Sequence, residues 1–193
     1  MSDKTYISEL AGHCNEATAW RIFKEASQQL IDSGQRLVSP ASLVIDDDGR
    51  VTLSPSDTQP AGFDAPQCNA ASRTEADAVW SLGATLFYVV MGRQVMNGKG
   101  GKGQTAASRL PYMRSEWPEM SELVQRCLQY EPALRPSLNE VLDKASRQHE
   151  KCLADIKRGP RLKPVASGNN GTEGADDELA FWPETMQTKH NNP

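Results

Sequence analysis

A chain of 193 residues, 38% hydrophobic, 24% charged and 6% aromatic, has enough apolar side chains for one domain with its own core and needs neither disulfides nor metal to fold. Its net charge of −4 sits in the last stretch, where Glu173, Asp176, Asp177, Glu178 and Glu184 face Lys189 alone, and residues 1–165 are neutral. A neutral body with no basic stripe argues against nucleic acid as the partner. Met1-Ser2-Asp3-Lys4-Thr5 carries no apolar stretch behind a positive charge, so no secretory leader is expected. The longest apolar run, residues 79–91, is broken by Ser81, Gly83 and Thr85 and falls short of the roughly 20 residues that span a bilayer, so no membrane partner is expected. Cys14, Cys68, Cys127 and Cys152 form no CxxC pair, and His13, His149 and His190 are scattered. The expectation is reduced thiols in a cytoplasm, with no metal and no cofactor.

In chain order, Tyr6, Ile7 and Leu10 suggest a short first helix ending at Gly12. Ala19, Phe23, Ala26 and Leu30, spaced i, i+4, i+7, i+11, make the stripe of a second, with Asn15 as N-cap and Gly34 as left-handed stop. Ser42-Leu43-Val44-Ile45 and Arg50-Val51-Thr52-Leu53 flank the turn Asp46-Asp47-Asp48-Gly49 and predict a β-hairpin. That acidic turn mimics part of a calcium loop, but with Gly49 at the sixth position Val44 and Pro55 fall where carboxylates are required.

Residues 54–73 are rich in Ser, Pro, Asp and Asn and read as a loop. Thr74-Glu75-Ala76-Asp77 is a capping box, and the helix behind it is apolar around most of its circumference to Met91, which predicts burial on all sides. Residues 93–116 read as loose. Within them Gly98-Lys99-Gly100-Gly101-Lys102-Gly103 has the form G-x-G-x-x-G without a strand before it, and Gln104 stands where a phosphate-binding loop needs Lys. This stretch is expected to be a flexible loop, with an anion on Lys99 or Lys102 as the alternative. A helix is predicted over residues 119–130, ended by Pro132, and a last one after Pro136 with the capping box Ser137-Leu138-Asn139-Glu140, ended by Gly159-Pro160. The chain thus divides into a folded domain over residues 1–160 and an acidic, disordered tail over residues 161–193. The tail's aromatic pair Phe181-Trp182 reads either as a short linear ligand for another protein or as a surface-docked segment.

Asp46-Asp47-Asp48-Gly49-Arg50-Val51-Thr52-Leu53, Ala65-Pro66-Gln67, Val79-Trp80-Ser81-Leu82-Gly83 and Cys127-Leu128-Gln129-Tyr130-Glu131-Pro132-Ala133-Leu134-Arg135-Pro136 together resemble the C-lobe of a protein kinase, in that lobe's order. They match the hairpin after the catalytic loop, the end of the activation segment, the central buried helix and the Arg-Pro turn before the last helix. The resemblance implies a mainly α fold, a kinase-like C-lobe with one small β-hairpin. It covers about residues 5–157, which leaves too few residues ahead of the second helix for a nucleotide-binding N-lobe.

Aligned this way, the kinase catalytic loop falls on Gln35-Arg36-Leu37-Val38-Ser39-Pro40-Ala41-Ser42. Leu37 takes the place of the proton-accepting Asp, Ser42 that of the metal-binding Asn, and Pro55 that of the magnesium-binding Asp. Asp57 lies two residues beyond. The resemblance therefore implies a chain without catalysis, ATP or metal. It narrows to the kinase non-catalytic C-lobe domain, which also lacks an N-lobe and binds partner peptides: Ile7-Ser8-Glu9-Leu10, Glu16-Ala17-Thr18-Ala19-Trp20 and Val38-Ser39-Pro40-Ala41-Ser42-Leu43 are similar to it.

The expected function is a protein–protein interaction module that binds a peptide or helix. The alternative is one subunit, or a remnant, of a two-chain kinase whose partner supplies the nucleotide. With no N-lobe above it, the face built by Leu37, Val38 and Pro40 and bordered by Glu9 and Glu16 is expected to receive the partner, unless the first helix folds back over it. Gln67 and Arg135 stand where kinases pair a Glu with an Arg, so a structural hydrogen bond is expected between them.

Overall fold

The computed structural model describes residues 5–46, 48–54 and 62–158. Among these, Asn15 opens the first helix, α1 (Glu16–Ser33), by accepting the Thr18 amide at 2.9 Å, and Gly34 closes it in the left-handed conformation at φ 69°. Ala19, Trp20, Phe23, Ala26 and Leu30, the stripe read from the sequence, are fully buried. Each large apolar side chain so placed contributes about 1.5–3 kcal/mol, and this face fixes α1 to the core.

Strands β2 (Leu43–Ile45) and β3 (Val51–Leu53) form the expected hairpin, in register Leu43 with Leu53 and Ile45 with Val51. The turn is held by Gly49 N donating to Asp46 O at 2.8 Å, with Gly49 at φ 75°. The sheet, however, has a third strand. Tyr6, expected in the first helix, instead lies with Thr5 in β1 (Thr5–Tyr6), and the two pair antiparallel with Val44 and Ile45. Only Ile7–Leu10 turn helically, as a single 3₁₀ turn. Two causes override the periodicity: the open edge of β2 offers Thr5 and Tyr6 a ladder, and Gly12, at φ 79°, turns the chain so that its amide donates to Val89 O at 2.8 Å. The architecture is thus mainly helical with a small three-stranded antiparallel sheet, order β1-β2-β3.

Helix α2 (Glu75–Met91) crosses the core. Its capping box is reciprocal: Asp77 N donates to Thr74 Oγ1 at 3.3 Å, and Thr74 N to Asp77 Oδ2 at 2.8 Å. From Asp77 to Val90 every residue but Tyr88 is buried. At Gly83 the helix meets the end of α3 (Pro118–Cys127) so closely that an added Cβ would lie 2.6 Å from Cys127 Cβ.

The last helix, α4 (Leu138–Arg158), starts on the predicted box, with Ser137 N donating to Glu140 Oε2 at 2.8 Å and Glu140 N to Ser137 Oγ at 3.2 Å. It makes its most extensive contact with α1 and an ion pair to α3 through Lys144 and Glu119. The start of α1 lies beside the end of α4.

The glycine-rich stretch is not a loose loop. Met96–Gly98 and Gly100–Gly103 form two 3₁₀ turns, and Gly100 and Gly101 are buried. Gly101 N donates to Asp64 O at 3.2 Å, and a Cβ on either glycine would overlap the backbone of Gly62 or of Asp64 and Ala65. The glycines serve close approach of two chain segments, which a sequence pattern alone cannot tell from flexibility. The expected tail over residues 161–193 lies outside the described residues.

Candidate functional site

The segment aligned with a kinase catalytic loop runs along α2. Val38 N donates to Ser81 Oγ at 3.3 Å, and Thr85 Oγ1 donates to Val38 O at 3.4 Å. Ser42 turns its hydroxyl onto its own loop, accepting Ser39 N and donating to Ser39 O, both at 2.9 Å. Leu37 is half-buried. Of these two positions one is aliphatic and the other is a hydroxyl engaged twice by the Ser39 backbone. Pro55 and Asp57 lie outside the described residues.

The expected docking face needs correction. Val38 is 1% exposed and Pro40 is also buried, so neither can anchor a partner. Val38 packs on α2 through Ser81 and Thr85, and the N-terminal segment is itself folded into the domain. β1 adds to β2, Ile7 is fully buried, and Arg114 Nη2 donates to Gly12 O at 3.1 Å. Glu9 is exposed on the 3₁₀ turn, and Glu16 lies in the first turn of α1. Phe181 and Trp182 lie outside the described residues.

Gln67 and Arg135 do meet. Arg135 Nη2 donates to Gln67 Oε1 at 3.2 Å and to Tyr130 O at 2.9 Å. Nε donates to Gln129 O at 2.8 Å, and Nη1 to Ala76 O at 2.9 Å. The side chain is wholly buried, and Asp77, 3.8 Å from Nη1, balances its charge. Burial pulls on the guanidinium proton and Asp77 opposes it. This clasp also ends α3 early: the helix stops at Cys127, short of the expected Tyr130, with the Gln129 and Tyr130 carbonyls turned to Arg135. Asp77 was legible only as a capping residue, and its second role as counter-charge has no sequence signature.

A second buried polar link went unread. Trp80 Nε1 donates to Gln104 Oε1 at 2.9 Å, while Gln104 Nε2 donates to Leu128 O at 2.7 Å. Gln104 thus satisfies two core groups from within the stretch that reads as loose.

A cleft of about 470 Å³ lies between the first turns of α1 and the last turns of α4. Ala17, Cys152, Leu153 and Ile156 give it an aliphatic wall, and Glu16, Arg21, His149 and Asp155 its polar groups. Leu153 is 40% and Ile156 66% exposed, so the apolar stripe of α4 runs past the cover that α1 supplies. Arg21 is paired with Glu25 at 3.2 Å and Asp155 with Arg158 at 3.6 Å. Glu16 accepts Trp20 Nε1 at 3.2 Å and has no cation within ion-pair distance among the described residues. Burial, reinforced by Glu16 and Asp155, pushes the Cys152 thiol up, so the cleft holds a neutral thiol and not a nucleophile. Among the sequence-predicted residues only Glu16 lines it; Leu37, Val38, Pro40 and Glu9 do not.

A smaller pocket of about 310 Å³ lies at the glycine turns, lined by Gly62, Asp64, Gly98, Lys99, Gly101 and Lys102. The amides of Gly98, Lys99, Gly100 and Gly101 all donate to backbone carbonyls, so none is left to receive an anion there. No protein-family model matches the sequence. Among the described residues no helix is long and apolar enough to cross a membrane.

Proposed function

We propose that this chain is a non-catalytic protein–protein interaction module built on the C-lobe of a protein kinase, with a partner helix as its ligand. The observation that carries the reading is the state of the catalytic-loop positions: Leu37 offers no proton acceptor, and the Ser42 hydroxyl is turned back onto the Ser39 backbone. Phosphoryl transfer depends on positioned charges, and these side chains supply none. The Gln67–Arg135 contact and the buried helix carrying Trp80 and Ser81 support the C-lobe scaffold. The four free cysteines suit residence in a reducing cytoplasm.

The cleft between α1 and α4 is where this reading seats the partner. Leu153 and Ile156 project beside a cavity, and Glu16 is a carboxylate on it with no ion-pair partner among the described residues. An amphipathic helix with one aliphatic anchor and a Lys or Arg one turn away would fill the first and neutralise the second.

The test has two arms. Purified chain with magnesium and ATP should transfer no phosphate to a general acceptor protein. Transfer above a blank would overturn the non-catalytic reading. In the second arm, designed amphipathic helices with and without the basic residue are titrated onto wild type, Ile156→Asp and Glu16→Gln. An anchor of this kind contributes about 2 kcal/mol, so Ile156→Asp should weaken binding about thirtyfold. Glu16→Gln should remove the preference for the basic helix. Equal binding to all three chains would move the site away from the cleft.

A further inference from the structure

On the inner stripe of α4, Val141 and Ala145 are fully buried, and the next position one turn on is His149, 9% exposed. The i, i+4, i+8 spacing directs all three at α1. The charged groups that act on the imidazole are Lys24, Arg21 and Glu25 from α1 and Glu150 from its own helix, and Glu16 and Asp155 line the same cleft. Glu25 is already engaged, holding Arg21 Nε at 3.2 Å and accepting Val51 N at 2.6 Å, while Glu16 accepts Trp20 Nε1 and Asp155 pairs with Arg158. His149 itself makes no hydrogen bond among the described residues. It shares the cleft with Arg21, so solvent protons reach it.

A neutral ring suits this place, because it fills the seam as an apolar plate. A charged ring does not, because it would sit half-desolvated before two cations and a spent carboxylate. Burial first, then Lys24 and Arg21, accordingly hold its proton affinity below the ordinary histidine range. Beyond His149 the helix has little to hold it: Cys152 is half-buried, and Leu153 and Ile156 are exposed. We propose that His149 is a proton-operated latch, which closes the seam between α4 and α1 when neutral and releases residues 149–158 from α1 when protonated. The latch needs no partner and does not rest on the function proposed above, although it moves the same wall of the cleft, Leu153 and Ile156.

The sign follows from linkage. A histidine whose proton affinity is lower when packed binds its proton more readily when released. The packed state is therefore favoured fully above about pH 6.5, and the advantage shrinks as pH falls below that. Amide hydrogen exchange of the full chain at pH 7.5 and 5.5, corrected for the intrinsic rate, reads this opening. Protection over residues 149–158 should start below that of α2, with a weaker urea dependence, and fall across the interval, by no more than about tenfold. In His149→Gln and His149→Phe the fall should be absent. Wild-type protection independent of pH would overturn the proposal, as would a fall kept in both variants. So would identical protection and urea dependence in α2 and α4, which would mean the domain opens as one. Should neither variant fold, a wild-type imidazole titration decides: a midpoint for His149 at or above about 6.5 overturns the latch.

Discussion

Arg135 and His149 are both basic side chains less than a tenth exposed, yet they sit in opposite circumstances. Arg135 has four hydrogen bonds and a counter-charge, all inside the domain. His149 has none of these among the described residues and faces two like charges. The difference teaches that burial alone does not make a basic group structural. An arginine cannot shed its proton at any ordinary pH, so the fold must satisfy it in full. A histidine can be carried neutral at little cost, and the same burial leaves it free to respond to solution conditions.

Arg135→Ala tests the satisfied side of this comparison and should have the largest effect. It strands Asp77 and the carbonyls of Ala76, Gln129 and Tyr130, and removing one partner of a buried pair costs about 3–5 kcal/mol. Urea unfolding should show that loss, with little rescue by Lys, which cannot reproduce the forked donors. A loss below about 1 kcal/mol would mean that the bonds are not what holds this region. Gln104→Leu comes next. It leaves Trp80 Nε1 without an acceptor and Leu128 O without a donor, at about 2–4 kcal/mol in all, read from the same transition.

Gly101→Ala should cost about 1–3 kcal/mol, because the new Cβ meets the backbone of Asp64 and Ala65 and not a yielding side chain. A melting temperature equal to wild type would restore the flexible reading of the glycine turns. The smallest effect is expected of Gln67→Glu, which puts a carboxylate opposite Arg135. Gln67 is exposed, so the gain should be about 1 kcal/mol at most and should shrink in high salt. A lowered melting temperature would argue that the contact contributes only through its neutral amide.

What the sequence made legible follows from how local each signal is. The Asn15 cap, the two capping boxes, the left-handed Gly34 and the β2–β3 hairpin are written within a few consecutive residues, and all are present. The Gln67–Arg135 contact spans 68 positions and was legible only through family resemblance. Features decided by distant backbone were not. Nothing near Tyr6 signals that an open edge awaits it at Val44, and nothing in a run of glycines distinguishes freedom from crowding. The docking face failed for the same reason. Val38 and Pro40 are apolar side chains in a loop, and whether a loop of that kind is covered depends on which distant element packs on it, for Val38 the helix α2.

The outer edge of β3 carries one more consequence. Val51 and Leu53 would present unpaired amides to any passing extended chain, but Glu25 accepts from Val51 N, and Gln29 accepts from Leu53 N while donating to Val51 O. Two side chains of a helix thus mimic a fourth strand. Because they end in water-soluble groups and cannot propagate a ladder, the sheet is terminated there against edge-to-edge growth. β1 caps the far edge of the hairpin with only two residues. Resistance to amyloid-like association in this domain therefore resides in α1, and Glu25 and Gln29 are guardians of colloidal behaviour as much as of the fold.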